Sequence, residues 1–422
     1  MSHATTHRHR WQLLAATLLI LVVATFFRLW RINSVPPGLF GDEAVNGLDA
    51  LDVLAGRGQV FFPANYGREG LHMFIIAGFF RLLDVTPLAI RLPSVIAGIL
   101  TVLVTYWLGR ELFASEDPRF RSTVPLLAAL WLATAYWHVH FSRFGIRGVF
   151  TPLCGALAFA AFWRGVNENH RLHRLHRKTI SEICVICGSI CGPWFLLSGA
   201  FLGLSVHFYT ASRLYPILLG LFLLVQTAAS TLRPCAPASL RPRTNKAAGE
   251  EPLLPRFFWP IIGLYVVAVA VFAPLGWYFL THPGSFAQRA STVFAFSQEE
   301  PWARIGQAIV GNVAQFFLPG HGDRAWFYNL SGRPLLEPVT ALLTLMGVLI
   351  CLRRWREAPY LFLLLWWPVM LLPTFLAVDR IPTAPRALGV LPGLYFFPAP
   401  VSYTHLRAHE TRHDLVCRLL LE

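Results

Sequence analysis

Apolar residues in this chain fall in long, nearly unbroken blocks instead of recurring at every third or fourth position. Runs of about 15–22 apolar residues repeat along it, separated by short polar or basic stretches. A soluble domain would show amphipathic helices; a block that is apolar all round is covered on every side. About 20 helical residues cross the roughly 30 Å hydrocarbon core of a bilayer while satisfying their own backbone. The pattern predicts an all-α polytopic membrane protein, with spans at about 11–30, 89–109, 123–140, 149–163, 192–208, 214–230, 257–280, 335–352 and 359–377 and a tenth beginning near 388.

Leu71–Leu83 is apolar but short, about 20 Å as a helix, and is expected to lie in or along the outer leaflet without crossing. Topology supports that reading. If the segment crossed, the basic loops at 164–178 and 233–256 would both land outside; if it does not, every strongly basic loop falls inside. The inside loops then carry Arg110, Arg119 and Arg121, then Arg171, Arg174, Arg177 and Lys178, then Arg241, Arg243 and Lys246, then Arg353, Arg354 and Arg356. The outside receives 31–88, 141–148, 209–213, 281–334 and 378–387. No A-x-A-like cleavage site follows Trp11–Trp30, and Arg28 sits at its far end, so the first span reads as an uncleaved signal anchor with 1–10 in the cytoplasm. The expected location is the plasma membrane, with a transmembrane domain over 11–397.

Composition agrees: 55% of residues are hydrophobic and 14% charged. A formal charge of +14 would suit nucleic acid, but the Lys and Arg side chains sit in short loops between apolar runs, which excludes a nucleic-acid partner and leaves membrane lipids. Cys154 and Cys351 read as small core residues. Cys184, Cys187 and Cys191, with His170, His173 and His176 nearby, have metal-like spacing but run straight into a membrane helix, so ordinary packing is the favoured reading. The segment 401–422 resembles the translation of a sequencing-library adapter; it is set aside, and further spans are expected in the natural protein.

The candidate chemistry lies on the outside. Asp42 and Glu43 open a helical stretch over 43–55, with Asp42, Asn46 and Asp49 on one face and Ala44, Leu48, Leu51 and Ala55 on the other. This predicts a helix on the membrane surface with its carboxylates towards solvent. Asp42 can be a plain N-cap, or a general base that takes a proton from an attacking hydroxyl. Tyr66, Arg68 and Glu69 form a second cluster, in which Arg68 can hold a phosphate and Glu69 can orient it or bind a metal. His138, His140, Ser142, Arg143 and Arg147 join the third and fourth spans; Arg143 and Arg147, four apart, can grip one phosphate or simply snorkel to water. His207, Tyr209 and Arg213 repeat the theme at the next outside turn, Arg91 begins a span, and Arg289, Asp323, Arg324 and Arg386 are further outside charges. Carboxylates and His140 can also hold a divalent metal, though their spacing specifies none.

The order of these motifs is the informative feature. Gly41-Asp42-Glu43-Ala44, Ala89-Ile-Arg-Leu-Pro-Ser94, Gly109-Arg-Glu-Leu-Phe113, Ser142-Arg-x3-Arg147 and Tyr209-x3-Arg213 follow one another across about residues 10–397. In this the chain resembles the GT-C superfamily of membrane glycosyltransferases, in particular the protein O-mannosyltransferase and aminoarabinose-transferase-like group. The resemblance implies a GT-C-type helix bundle with a large first outside loop carrying juxtamembrane helices. It also implies an inverting transferase that moves a sugar from a polyprenyl-phosphate donor to an acceptor protein, lipid or glycan on the outer face. By that analogy Asp42 is the catalytic base, Glu43 helps to orient the site, and Arg91, Arg143, Arg147 and Arg213 match positively charged positions. The family's usual Pro-Pro or Lys-Pro before the short outer helix is replaced here by Arg68-Glu69-Gly70. A transporter or flippase of a lipid-linked saccharide is the alternative. It predicts internal repeats and discontinuous helices, whereas no repeat is visible and the charges gather on one side.

Overall fold

The computed structural model describes residues 2–64, 67–175, 180–231, 252–286 and 293–419, with backbone alone at 2–6, 8–9, 169–175, 180–191 and 409–419. Helices α1 (Ser2–Leu29) and α2 (Gly41–Leu54) come first, followed by a small antiparallel hairpin of β1 (Phe61–Phe62) and β2 (Arg68–Glu69). Then follow α3 (Leu71–Leu83), α4 (Pro87–Leu112), α5 (Pro118–Thr134), α6 (Tyr136–Ser142), α7 (Phe150–Leu175), α8 (Ile180–Ser205) and α9 (Leu214–Thr231). The chain continues through α10 (Leu253–Arg256), α11 (Phe258–Thr281), α12 (Pro301–Phe317), α13 (Pro338–Arg353), α14 (Ala358–Leu376) and α15 (Pro398–Leu419).

Six of these helices, over 10–29, 87–112, 147–168, 210–231, 258–281 and 358–376, are long and apolar enough to cross a membrane. The expected third span is bent by 60° between α5 and α6, and the spans expected at 192–208 and 335–352 are shorter apolar helices, Gly192–Ser205 and Pro338–Arg353. Arg28 explains how the bend is tolerated. Its buried guanidinium donates to the carbonyls of Leu132 (3.5 Å) and Ala133 (3.1 Å), freed where the helix breaks, and bonds His138 Nδ1 at 2.8 Å. The expected tenth span does not start at 388. That region forms two buried 3-10 turns, Pro385–Val390 and Gly393–Phe396, because Pro385, Pro392 and Pro398 interrupt any longer ladder. From Pro398 the backbone is helical again, with Trp131 Nε1 donating to Ser402 Oγ at 3.3 Å.

Small side chains put α7 at the centre. Its Cys154-Gly-Ala-Leu-Ala-Phe-Ala-Ala run lets α4 and α8 pack closely; a Cβ at Gly155 would lie 2.4 Å from the Tyr215 ring. The apolar window of this span is 89% buried against 17% for α1, which lies at the edge of the bundle. Around α7, Phe159, Trp163, Phe222, Phe362 and Trp366 meet largely edge to face and tie it to α9 and α14. The result is an all-α polytopic membrane protein.

The first long connection is folded inward. Helix α3 spans Leu71–Leu83 as expected and buries Met73, Ile76, Ala77 and Phe80 against α2 and α4. Helix α2, however, is turned over relative to the sequence-based expectation. Asn46 and Asp49 are buried while Leu48 is 63% exposed, so its polar face points into the protein and Leu48 and Leu51 point out. Beside a bilayer, the outside is the apolar solvent, and polar groups gain by facing each other.

One buried ion pair holds this region. Glu43 accepts from Arg91 Nε (2.9 Å) and Nη2 (3.3 Å), from Gly145 N (2.9 Å) and from Phe40 N (3.0 Å). Arg91 also donates to the carbonyls of Ile32 (2.9 Å), Pro36 (3.1 Å) and Gly38. Gly145 can reach Glu43 because a side chain there would collide with Ile90, 2.4 Å from a Cβ. Arg143 performs a parallel task. It donates to the carbonyls of Phe27 (2.7 Å), Arg28 (3.2 Å), Trp30 (2.6 Å) and Val35 (2.7 Å), closing the end of α1. Removing one member of the Glu43–Arg91 pair leaves the other charge buried. Glu43→Ala and Arg91→Ala should each cost about 3–5 kcal/mol of stability, read as a large fall in thermal midpoint in detergent; a midpoint within a degree or two of wild type would contradict this.

Candidate functional site

Five connections meet at one end of the bundle and enclose a cavity of about 150 Å³. Asp42 and Asn46 come from the start of α2, Ile146, Arg147 and Gly148 from the turn after α6, and Tyr209 from the turn before α9. Tyr328 comes from the loop after α12, and Asp379, Arg380, Thr383 and Arg386 from the segment after α14. These segments belong to the five connections that the charge pattern assigns to one side.

Asp42 is not the cap of its helix. The helix begins at Gly41 with Phe40 as the capping residue, and Glu43 reaches back to the Phe40 N–H in its place. That leaves the Asp42 carboxylate half-buried in the cavity wall, where Tyr328 Oη donates to its Oδ2 at 2.9 Å. Burial, and then the Asp42 charge, push the Tyr328 phenol well above its ordinary pKa, so it remains a donor at neutral pH.

Arg147 brings a positive charge to the same cavity. It is 8% exposed and lies 3.4 Å from Glu69 Oε2, with its guanidinium 5.7 Å from the Tyr209 ring. Its Nε and Nη2 make no hydrogen bond. Glu69 also accepts from Thr210 Oγ1 (3.1 Å) and lies 3.6 Å from Arg213 Nη2. Arg213 points away from the cavity, over the Phe286 ring at 4.4 Å. Arg68 turns the other way along the hairpin, pairing with Asp49 at 2.5 Å and donating to Asn46 Oδ1 at 3.0 Å. Asn46 in turn donates to Gly145 O at 2.9 Å, so Arg68 braces α2 from behind.

The expected grip of Arg143 and Arg147 on one anion does not form. The helix ends at Ser142, so their spacing of four no longer places them on one face, and Arg143 is occupied by α1 carbonyls. His140 is also engaged elsewhere, its Nε2 bonding Phe327 O at 3.1 Å. Tyr66, Arg289 and the Cys184, Cys187 and Cys191 side chains lie outside the described residues.

Four polar cavity residues are not marked out by the sequence: Tyr328, Asp379, Arg380 and Thr383. Arg386, singled out only as an outside charge, is held by Asp379 in a two-pronged pair at 2.5 and 2.8 Å. Burial opposes its charge, and the bonds to Asp379 outweigh burial and raise its pKa. Asp323 is wholly buried below; it accepts from Ala384 N at 3.0 Å and lies 3.4 Å from Arg380. The available signal was the run Asp379-Arg380-x5-Arg386 inside a connection already placed with the others.

A divalent metal finds little here. Among the described residues no three His, Cys, Asp or Glu side chains come together. The two cavity carboxylates bond Tyr328 and Arg386, and three arginines line the same space. These donors do not fit a metal site made by the protein alone.

No family model matches the chain, and no curated protein does. Solved structures do. An Archaeoglobus fulgidus oligosaccharyltransferase in its apo form superposes with a TM-score of 0.57 at 14% identity, over 96% of this chain and 52% of its own. The same organism's oligosaccharyltransferase AglB, in complex with an inhibitory peptide and a dolichol-phosphate, gives 0.57 at 15% identity, with 96% and 52% covered. ArnT from Cupriavidus metallidurans bound to undecaprenyl phosphate gives 0.57 at 15% identity, with 92% and 59% covered. The chain thus spans about half the length of the oligosaccharyltransferases and somewhat more of ArnT. The likeness is one of fold: this chain is folded as these oligosaccharyltransferases and ArnT are.

Proposed function

We propose that the chain is an inverting glycosyltransferase of the cell envelope, moving a sugar from a polyprenyl-phosphate donor to an acceptor hydroxyl on the outer face of the plasma membrane. One observation carries the reading: Asp42 and Arg147, whose Nε and Nη2 make no hydrogen bond, line one cavity. An acid ready to take a proton beside a cation ready to take a phosphate is what sugar transfer from a lipid phosphate requires.

In the proposed step Asp42 removes the proton of the acceptor hydroxyl as its oxygen attacks the anomeric carbon. The bond from that carbon to the phosphate oxygen breaks on the opposite side, and the polyprenyl phosphate leaves with the electron pair. Arg147 and Arg380 meet the charge that grows on the leaving phosphate. Glu43 and Arg91 take no part in the chemistry; they hold α2 so that Asp42 keeps its place. The fold neighbours support the donor class, since one was solved with dolichol-phosphate and another with undecaprenyl phosphate.

Asp42→Asn should lower transfer by about 10²–10⁴-fold while the donor lipid still binds, measured with purified full-length protein and polyprenyl-phosphate sugars; unchanged transfer would remove Asp42 from the reaction. Arg147→Gln should weaken undecaprenyl phosphate binding by about 10–100-fold, the worth of a charge-assisted hydrogen bond, and equal affinity would place the phosphate elsewhere. For orientation, single cysteines at Tyr66 and Arg174 in intact cells should react with an impermeant thiol reagent at 66 only. Labelling at 174 would invert the topology.

A further inference from the structure

Tyr328 lies 286 residues from Asp42 in sequence, yet its hydroxyl makes a 2.9 Å hydrogen bond to that carboxylate. The bond is held in place from several directions. The Tyr328 ring has the Arg380 guanidinium 4.8 Å above it, Phe141 stacked at 6.0 Å and Phe40 edge-on at 5.9 Å. Its loop is pinned on either side of the tyrosine. Phe327 stacks on Phe40 at 4.3 Å and its carbonyl bonds His140, while Leu330 N donates to Tyr136 Oη at 2.9 Å. Asp323 ties the start of the loop to Ala384 N at 3.0 Å, and Arg380, which touches both Asp323 and Tyr328, joins the two segments. A tyrosine kept only for packing would need neither a cation over its face nor a carboxylate at its hydroxyl.

We infer that Tyr328 is a positioning residue for Asp42, its hydroxyl fixing one carboxylate oxygen so that the other is set to accept the acceptor's proton. This rests on the reading of Asp42 as the base. Arg380 acts from the far side of the ring, holding the phenol in register. The other titratable groups facing the pair are Arg147, Tyr209, Asp379 and Arg386 around the cavity and Arg68 behind α2. None of the four arginines can accept a proton near neutral pH, and none can replace the Tyr328 bond from its present partners.

A carboxylate that loses a hydrogen-bond donor gives up its charge more readily, so the acid side of a rate profile governed by it moves to higher pH. The test uses the full chain in detergent as wild type, Tyr328→Phe and Asp42→Asn. Release of sugar from undecaprenyl-phosphate-linked mannose and aminoarabinose is followed against pH. Affinity for undecaprenyl methyl phosphate, a diester whose charge stays constant, is followed over the same range without turnover. Tyr328→Phe keeps the ring contacts. Its acid limb should move up by about one unit and its kcat fall about tenfold, with donor KM within about twofold. The pH-dependent step in diester affinity, absent from Asp42→Asn, should move by the same amount.

A Tyr328→Phe profile that superposes on wild type overturns the inference, as does a loss of rate or of thermal stability with the limb and the binding step unmoved. If neither sugar is released, the diester step alone decides. Full turnover by Asp42→Asn would sink the proposed function and the inference with it. An inactive Asp42→Asn beside an unchanged Tyr328→Phe sinks the positioning role alone.

Discussion

The pair of Glu43 and Arg91 is the constraint on which the cavity end of the molecule depends. All five guanidinium N–H groups of Arg91 have acceptors, and four donors converge on Glu43. A buried pair with fewer partners would cost more in lost hydration than it returned. With this many it becomes a joint, linking the 32–40 loop, the first turn of α2, the start of α4 and the Gly145 turn. Neighbouring residues on a helix point about 100° apart, so fixing Glu43 into the wall leaves Asp42 facing the cavity. The two adjacent acids take different places, one locked into the wall and one lining the cavity.

The cavity arginines are answered by carboxylates to different degrees. Arg386 is clasped in two short bonds by Asp379, whereas Arg147 and Arg380 meet Glu69 and Asp323 at 3.4 Å. The longer separations compensate charge yet leave Arg147 Nε and Nη2 and Arg380 Nε without a hydrogen bond. These arginines are held in place by ion pairs of 3.4 Å and, for Arg380, by a bond to Thr383 Oγ1 at 3.3 Å. That is preorganisation in the electrostatic sense, where the cost of ordering the donors is met on folding.

Much of this architecture was legible in the chain. Apolar blocks located the spans, and the distribution of Lys and Arg sorted the connections into two sets, one of which builds the cavity. Asp42, Arg147 and Tyr209 were visible as polar residues at the mouths of spans. What could not be read was which arginine meets which acid. Arg91, Arg143 and Arg147 look alike in sequence, and only the end of α6 at Ser142 and the carbonyls left by α1 separate their roles. The face of α2 was misjudged for a related reason. An amphipathic pattern says that two faces differ, and the surrounding solvent decides which is outside. Tyr328 was invisible because its partner is so far away in sequence.

The opposite end of the bundle is built differently. There, too, charges gather where spans begin and end. Arg354 is shared among Glu116, Glu357 and Tyr360, and Arg164 bonds Glu111 at 3.0 Å and Glu168 at 2.7 Å, with Asn167 closing on Glu111 at 2.9 Å. These networks consume their donors in short bonds and so serve to staple helix ends. At the cavity Arg386 is likewise clasped by Asp379, whereas Arg147 and Arg380 stand 3.4 Å from Glu69 and Asp323. Charge held close to its partner gives stability, and two of the three cavity arginines lack that close hold.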